Sequence, residues 1–407
     1  MSTRTEAPPE RRVERRAWTA VALATMCSAL PAFMTGALGV QLRDEVGLSA
    51  TEIGLAMGTS FAVAAALSAP MGRLAQRLGP RRAFRGGLGV TALTMLAIAT
   101  FVRGELALCA FLGAAGAANA LNQPSANLLL ATHVGRARLG FALAVKQSGM
   151  PAAALLGGAA VPAVALTLGW PWAFRFGAVL ALGAAALLPA DVEPGGVEAV
   201  AELAVEPGRR AARPDLGTGL LVLYAVVGLL GSANAGAMVG FVTSGAEASG
   251  LSPGAAGLVL SLGSALGIAS RLFQGWQVDH HGILPIQRLV WLFGLGGLGV
   301  LTMTFDTPIA YVLAPIPAFA FGWAWPGLFN LSVIRNNPSA PASATGISQV
   351  GVFAGAAIGP AVGGIVIDQG GYRVLWFLGA LTLLAGSALA MYLRTRIRAA
   401  RLAVARA

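Results

Sequence analysis

The sequence predicts an all-α membrane protein of twelve transmembrane helices in two pseudosymmetric six-helix bundles. Three observations carry that expectation. Of 407 residues, 56% are hydrophobic and 11% charged, where soluble domains carry about 25% charge. Long apolar runs exceed the roughly 20 residues that a helix needs to cross a bilayer. The second half also echoes the first. Gly47-Leu48-Ser49 returns as Gly250-Leu251-Ser252, Gly54-Leu55 as Gly257-Leu258, and Ala62, Ala66, Gly72 and Gly79 as Ala265, Ala269, Gly275 and Gly282, all at an offset of 203. At an offset of 202, Pro124 matches Pro326, Gln147-Ser148-Gly149 matches Gln349-Val350-Gly351, and Gly177-Ala178 matches Gly379-Ala380. Two matching membrane halves imply a site at their interface and a rocking motion about it.

The first six spans are predicted at residues 17–40, 53–71, 84–102, 106–129, 140–166 and 173–189. The second six are predicted at 217–243, 254–273, 286–305, 309–332, 344–367 and 372–393. They divide the chain into a tail (1–16), an N-terminal bundle (17–189), a linker (190–216), a C-terminal bundle (217–393) and a second tail (394–407). The run from Ala17 to Val40 is too long for a signal-peptide core. The apolar runs do not alternate in polarity, which argues against a β-barrel. Cys27 and Cys109 lie inside apolar runs and suggest neither a disulfide framework nor a metal site.

The net charge is +11, but its distribution does not suggest nucleic acid. Arginines cluster in both tails and in the turns after spans 2, 4, 6, 8 and 10, as Arg73, Arg77, Arg81, Arg82, Arg136, Arg138, Arg209, Arg210, Arg213, Arg288 and Arg335. The opposite turns hold few. That is the positive-inside pattern. It places both termini and the linker on the cytoplasmic side of the cell membrane.

Gly72-Arg-Leu-Ala-Gln-Arg-Leu-Gly-Pro-Arg-Arg82 resembles the signature loop between helices 2 and 3 of the major facilitator superfamily. Gly72, Leu74, Ala75, Arg77, Gly79 and Arg81 match; the family's Asp is Gln76 here and its second Arg is Pro80. A degenerate second copy keeps Gly275, Asp279 and Gly282. The resemblance covers essentially the whole chain. It implies two bundles rocking about a central site, with a latch on the cytoplasmic side formed by Gly72, Arg77, Gly79, Arg81 and Asp279, and Arg335 as partner of Asp279. The alternative is that the arginines only orient the chain. The antiporter motif G-x-x-x-G-P-x-x-G-G of that superfamily's helix 5 occurs instead in span 11, from Gly355 to Gly364. Span 5 carries Lys146-Gln-Ser-Gly-Met-Pro151, which is similar to the cyanate/nitroimidazole-type branch, whose members handle small solutes.

Lys146 is the only lysine in the chain. It is predicted some six residues inside span 5, about 9 Å from its end. An intramembrane charge is costly and marks a functional candidate; the alternative is a stem that snorkels to the interface. Arg271, predicted close to the end of span 8, is a gate or a second solute contact. Asn119, Asn122 and Gln123 form a polar cluster on span 4, with Asn119 and Asn122 on one face. Asn234 lies deep in span 7, and Gln147 and Gln349 are repeat-related. Such amides read a polar ligand or hold helices together. Trp323 and Trp325 point in different directions, and one of them is expected to wall a cavity.

No Asp or Glu is predicted at mid-membrane, so the usual proton-coupling group is missing. The leading expectation is a monomeric transporter of a small anionic or polar solute that works by alternating access in the lipid bilayer. Efflux of apolar compounds competes with it, as does a transport-inactive membrane sensor. No catalytic or nucleotide-binding motif is found. An enzyme, a cofactor and a nucleic-acid partner are not expected.

Overall fold

A computed structural model describes residues 9–134, 142, 145–189, 215–281, 284–337 and 340–406. Among them, eleven helices are long and apolar enough to cross a bilayer. The last, Ser343–Ala399, has 57 residues, roughly 85 Å at 1.5 Å per residue and far more than one crossing needs. Gly371 divides it, with φ 78° and ψ 178°. Gly169, 202 residues earlier, also has a positive φ, of 92°, and separates helices five and six. Matching breaks at matching places give twelve spans.

These are α1 Pro9–Ala37, α2 Ala50–Leu78, α3 Pro80–Phe101, α4 Glu105–His133, α5 Val145–Leu168 and α6 Trp170–Leu187. The second bundle has α7 Thr218–Ala248, α8 Pro253–His281, α9 Pro285–Phe305 and α10 Pro308–Arg335, then α11 (341–370) and α12 (372–406).

The repeated Gly-Leu-Ser is a turn with one residue for each task. Gly47 and Gly250 take left-handed φ of 79° and 106°, which glycine adopts without strain. Ser49 then caps α2: its hydroxyl accepts from the Glu52 N–H, and its own N–H donates to the Glu52 carboxylate. This is a reciprocal capping box. Ser252 repeats half of it by accepting from the Ala255 N–H.

Several predicted boundaries are corrected. The helices overrun the apolar segments: residues 9–16 belong to α1, and 394–406 belong to α12. Arginine is a good helix former, so hydropathy marks where lipid ends and not where the helix ends. The predicted signature loop is not a loop. Gly72–Leu78 is helix and Pro80 opens α3, leaving only Gly79, with φ 81°, as the break. Arg271 is not close to a helix end; α8 continues ten residues past it, or about 15 Å. Most of the predicted linker lies outside the described residues.

The two bundles meet along two seams of small residues. On α2 and α11, a Cβ at Gly54 would strike the Pro360 carbonyl, and one at Gly364 would strike the Ala50 carbonyl. On α5 and α8, Gly158 and Gly257 are pressed together in the same way, and Ser261 Oγ donates to the Leu155 carbonyl at 2.9 Å. Without a hydrophobic drive in lipid, helices associate through such close backbone packing.

Candidate functional site

Lys146 does not snorkel. It is 4% exposed, and its Nζ donates to Gln123 Oε1 at 2.7 Å and Asn127 Oδ1 at 2.9 Å, both on α4. Gln123 Nε2 donates to Asn119 Oδ1 at 3.3 Å, which also accepts from Ser28 Oγ of α1 at 3.4 Å. A polar chain thus runs Ser28–Asn119–Gln123–Lys146–Asn127 through the first bundle. Two of the three ammonium protons face amide oxygens, and no carboxylate pairs with the charge among the described residues.

The second bundle holds a neutral counterpart. Gln349 Nε2 donates to Asn330 Oδ1 at 2.7 Å, from α11 to α10. Asn127 and Asn330 are 203 residues apart, as are Lys146 and Gln349. The predicted pairing of Gln147 with Gln349 is therefore corrected at the level of hydrogen bonding: Lys146 is the residue equivalent to Gln349. Asn127 and Asn330 were not singled out from the sequence, although the offset relates them.

Arg271 crosses the seam. Its Nη1 donates to the Gln147 carbonyl of α5 at 3.0 Å, while Nε and Nη2 donate to the Trp323 carbonyl of α10 at 3.1 and 2.7 Å. A proline frees the first of these carbonyls and a break in the helix frees the second. The helical donor for Gln147 would be the N–H of residue 151, which is Pro151. Trp323 ends the helical piece Pro315–Gly322 with φ −117° and ψ 0°, ahead of Pro326. The guanidinium also lies 5.2 Å from the Trp323 ring centroid, within cation–π range.

Trp323 and Trp325 divide as their spacing requires. Trp323 reaches the other bundle, edge-on to Phe33 at 6.1 Å, and Phe33 lies 6.2 Å from Phe61. Trp325 packs inside the second bundle against Phe293 and Phe329. The shared face of Asn119 and Asn122 is corrected. Asn122 packs on Gly87 of α3, and both its amide atoms are buried without a partner among the described residues. It sits in a helix–helix contact and not beside Lys146. Asn234 likewise turns inward: its Nδ2 meets Met238 Sδ at 3.1 Å, and its Oδ1 faces Gly379 of α12.

At the arginine-rich end, a Cβ added at Gly72 would meet no neighbouring element among the described residues, and Arg77 and Arg335 are exposed. Ala75 of the signature packs with Ala83 and Leu128, and Arg81 is half-buried. Asp279 lies in the last turn of α8; its side chain is outside the described part of the structure. No cluster suited to a metal ion is found among the described residues.

The Major Facilitator Superfamily profile matches residues 21–335, and the chain belongs to that family. Its fold is that of solved membrane transporters. One is a bacterial homologue of the human drug peptide transporters PepT1 and PepT2, with 13% identity and TM-score 0.71, the match covering 95% of this chain and 99% of the other. Another is the nucleoside transporter NupG, with 14% identity and TM-score 0.70, covering 92% and 99%. No curated protein matches in sequence. The chain is an integral membrane protein of the transporter fold.

Proposed function

We propose that this chain moves a small anionic or acceptor-rich solute across the cytoplasmic membrane, by alternating access between its two bundles. The observation that carries the reading is Lys146. A buried ammonium held by two neutral amides lacks compensating charge among the described residues, and burying an unpaired ion costs several kcal/mol. A bound anion would supply the missing charge. Arg271, Gln147, Asn119 and Trp323 complete the surroundings on both sides of the seam. The aromatic layer Phe33–Phe61–Trp323 favours an apolar portion on the solute, and it also supports the second reading, efflux of an apolar compound. Asn122, Asn234 and Gln349 serve packing in this account. On the cytoplasmic side, Gly72, Arg77, Gly79, Arg81 and Arg335 would form the latch together with Asp279, and Asp279→Asn is expected to favour states open there.

The repeat supplies the test. Lys146→Gln places in the first bundle the donor that Gln349 provides in the second, so it removes charge while keeping a bond to Asn127. Purified wild type and Lys146→Gln are screened for thermal stabilisation by small anions, cations and apolar compounds. The expected result is an anion that raises the wild-type Tm by mass action and binds Lys146→Gln about 10- to 150-fold more weakly, as loss of a charge-assisted bond implies. Stabilisation only by cations or apolar compounds, or equal affinity in both proteins, would refute the anionic reading.

A further inference from the structure

Two hydrogen bonds join the bundles at the end opposite the arginine clusters. Asp368, near the end of α11, accepts from the Thr51 backbone N–H at 2.8 Å. Arg43, on the short helix Gly39–Val46, donates through Nη1 to the Tyr372 hydroxyl at 3.1 Å. Thr51 is in the first turn of α2, after the cap residue Ser49, so its N–H has no acceptor within its own helix. The positive end of the helix dipole lies there and favours a carboxylate. Gly364 sets the approach. It precedes Asp368 by four residues and so shares its face, and any Cβ there would strike the Ala50 carbonyl.

The seam below this bond is sealed for only part of its length. Gly54, Gly58, Ala62 and Ala66 form one i, i+4 row on α2; the first two are buried and the last two exposed. On the facing helix, Val350 is 67% exposed. Along α2 and α11 the bundles therefore touch from the Asp368 end to about the level of Gly58 and part beyond it, while on α5 and α8 Arg271 still bridges them further along.

We propose that Asp368 is a latch for the end of the carrier remote from the signature segment: its carboxylate, seated on the N-terminus of α2, favours the state closed at that end. The proposal rests on alternating access, and it does not depend on the solute being an anion. Alternation requires this seam to open whenever the arginine-rich end closes, so the bond breaks once in each cycle. Asp368 is solvent-exposed, and a charge at an exposed helix N-terminus shifts an equilibrium by about 2- to 5-fold. That is enough to bias the carrier without locking it.

Met57 is fully buried and packs between Gly36 of α1 and Gly240 of α7, across the bundle boundary. Its replacement, Met57→Cys in a Cys27→Ala, Cys109→Ala background, makes the rate of alkylation by N-ethylmaleimide a measure of seam opening. Asp368→Ala removes the acceptor. Thr51→Pro removes the donor in a first turn where no helical bond is lost. Each is expected to raise the rate about 2- to 5-fold, and the double variant should match a single one, because both remove the same bond. A reactive thiol whose rate stays unchanged in either single variant overturns the latch and leaves alternation standing. Effects that multiply in the double variant also overturn it, since they report two unrelated lesions. A thiol that reacts only on denaturation overturns alternation and the latch together.

Discussion

Lys146 donates to Asn127 at 2.9 Å where Gln349 donates to Asn330 at 2.7 Å. Each pair spans the same two neighbouring helices of its bundle, and the two pairs are 203 residues apart. The duplicated architecture thus keeps one inter-helix bond in both halves, and only one half carries it with a charge. A purely structural donor would not require an ammonium, because the second half manages with an amide.

Replacing the neutral donor isolates its packing value. Gln349→Ala leaves Asn330 Oδ1 without this partner, and the expected loss is about 1–3 kcal/mol of stability, read as a lower Tm. Lys146→Ala should lose a comparable amount in the first bundle, because two amide oxygens are then unpaired. Lys146→Gln should recover most of it. A Tm for Lys146→Gln as low as for Lys146→Ala would show that the two bonds are not equivalent.

Arg271 holds two backbone carbonyls that lack helical donors, one in each bundle: Gln147's because of Pro151, Trp323's because the helix breaks there. Arg271→Ala should cost about 2–4 kcal/mol, since two buried carbonyls lose a charged donor. Arg271→Lys should restore only part, because a compact ammonium cannot span both acceptors as the guanidinium fork does. Thermal unfolding of the three proteins orders them wild type, Lys, Ala. Identical midpoints would mean that the strap contributes nothing.

Glycines at the helix contacts should separate into two classes. A Cβ at Gly351 would run into the Ala225 carbonyl of α7, whereas one at Gly72 would meet no other element within 4 Å among the described residues. Gly351→Ala should destabilise by about 1–3 kcal/mol or more through overpacking. Gly72→Ala should be neutral, or stabilising by up to about 1 kcal/mol, as expected for alanine inside a helix. If Gly72→Ala keeps its Tm but slows transport, Gly72 is needed in a conformation other than the one described.

The arginine asymmetry predicts that both termini and the linker face the cytoplasm. Single cysteines at Thr3, Val200 and Ala403, in a Cys27→Ala, Cys109→Ala background, should resist an impermeant maleimide in intact cells and react after permeabilisation. Labelling of any one in intact cells would contradict this orientation.

The sequence determined the fold class, because a bilayer admits few solutions for long apolar runs. The half-repeat then set out the two-bundle architecture, whereas the turn made by Gly-Leu-Ser and the paired breaks at Gly169 and Gly371 emerged only from the backbone angles. It also marked Lys146, since a lone lysine in an apolar run stands out in one dimension. What surrounds these residues was decided only by tertiary structure. Asn119 and Asn122 are three residues apart, yet one faces Lys146's network and the other packs on Gly87. Each amide's partner lies on another helix, and helix periodicity fixes a residue's direction without fixing what waits there. The contact of Arg271 with Gln147 joins residues 124 positions apart, and that of Asp368 with Thr51 joins residues 317 apart. Such contacts follow from how the bundles dock, and backbone carbonyls and N–H groups, present at nearly every residue, leave no mark in the sequence of side chains.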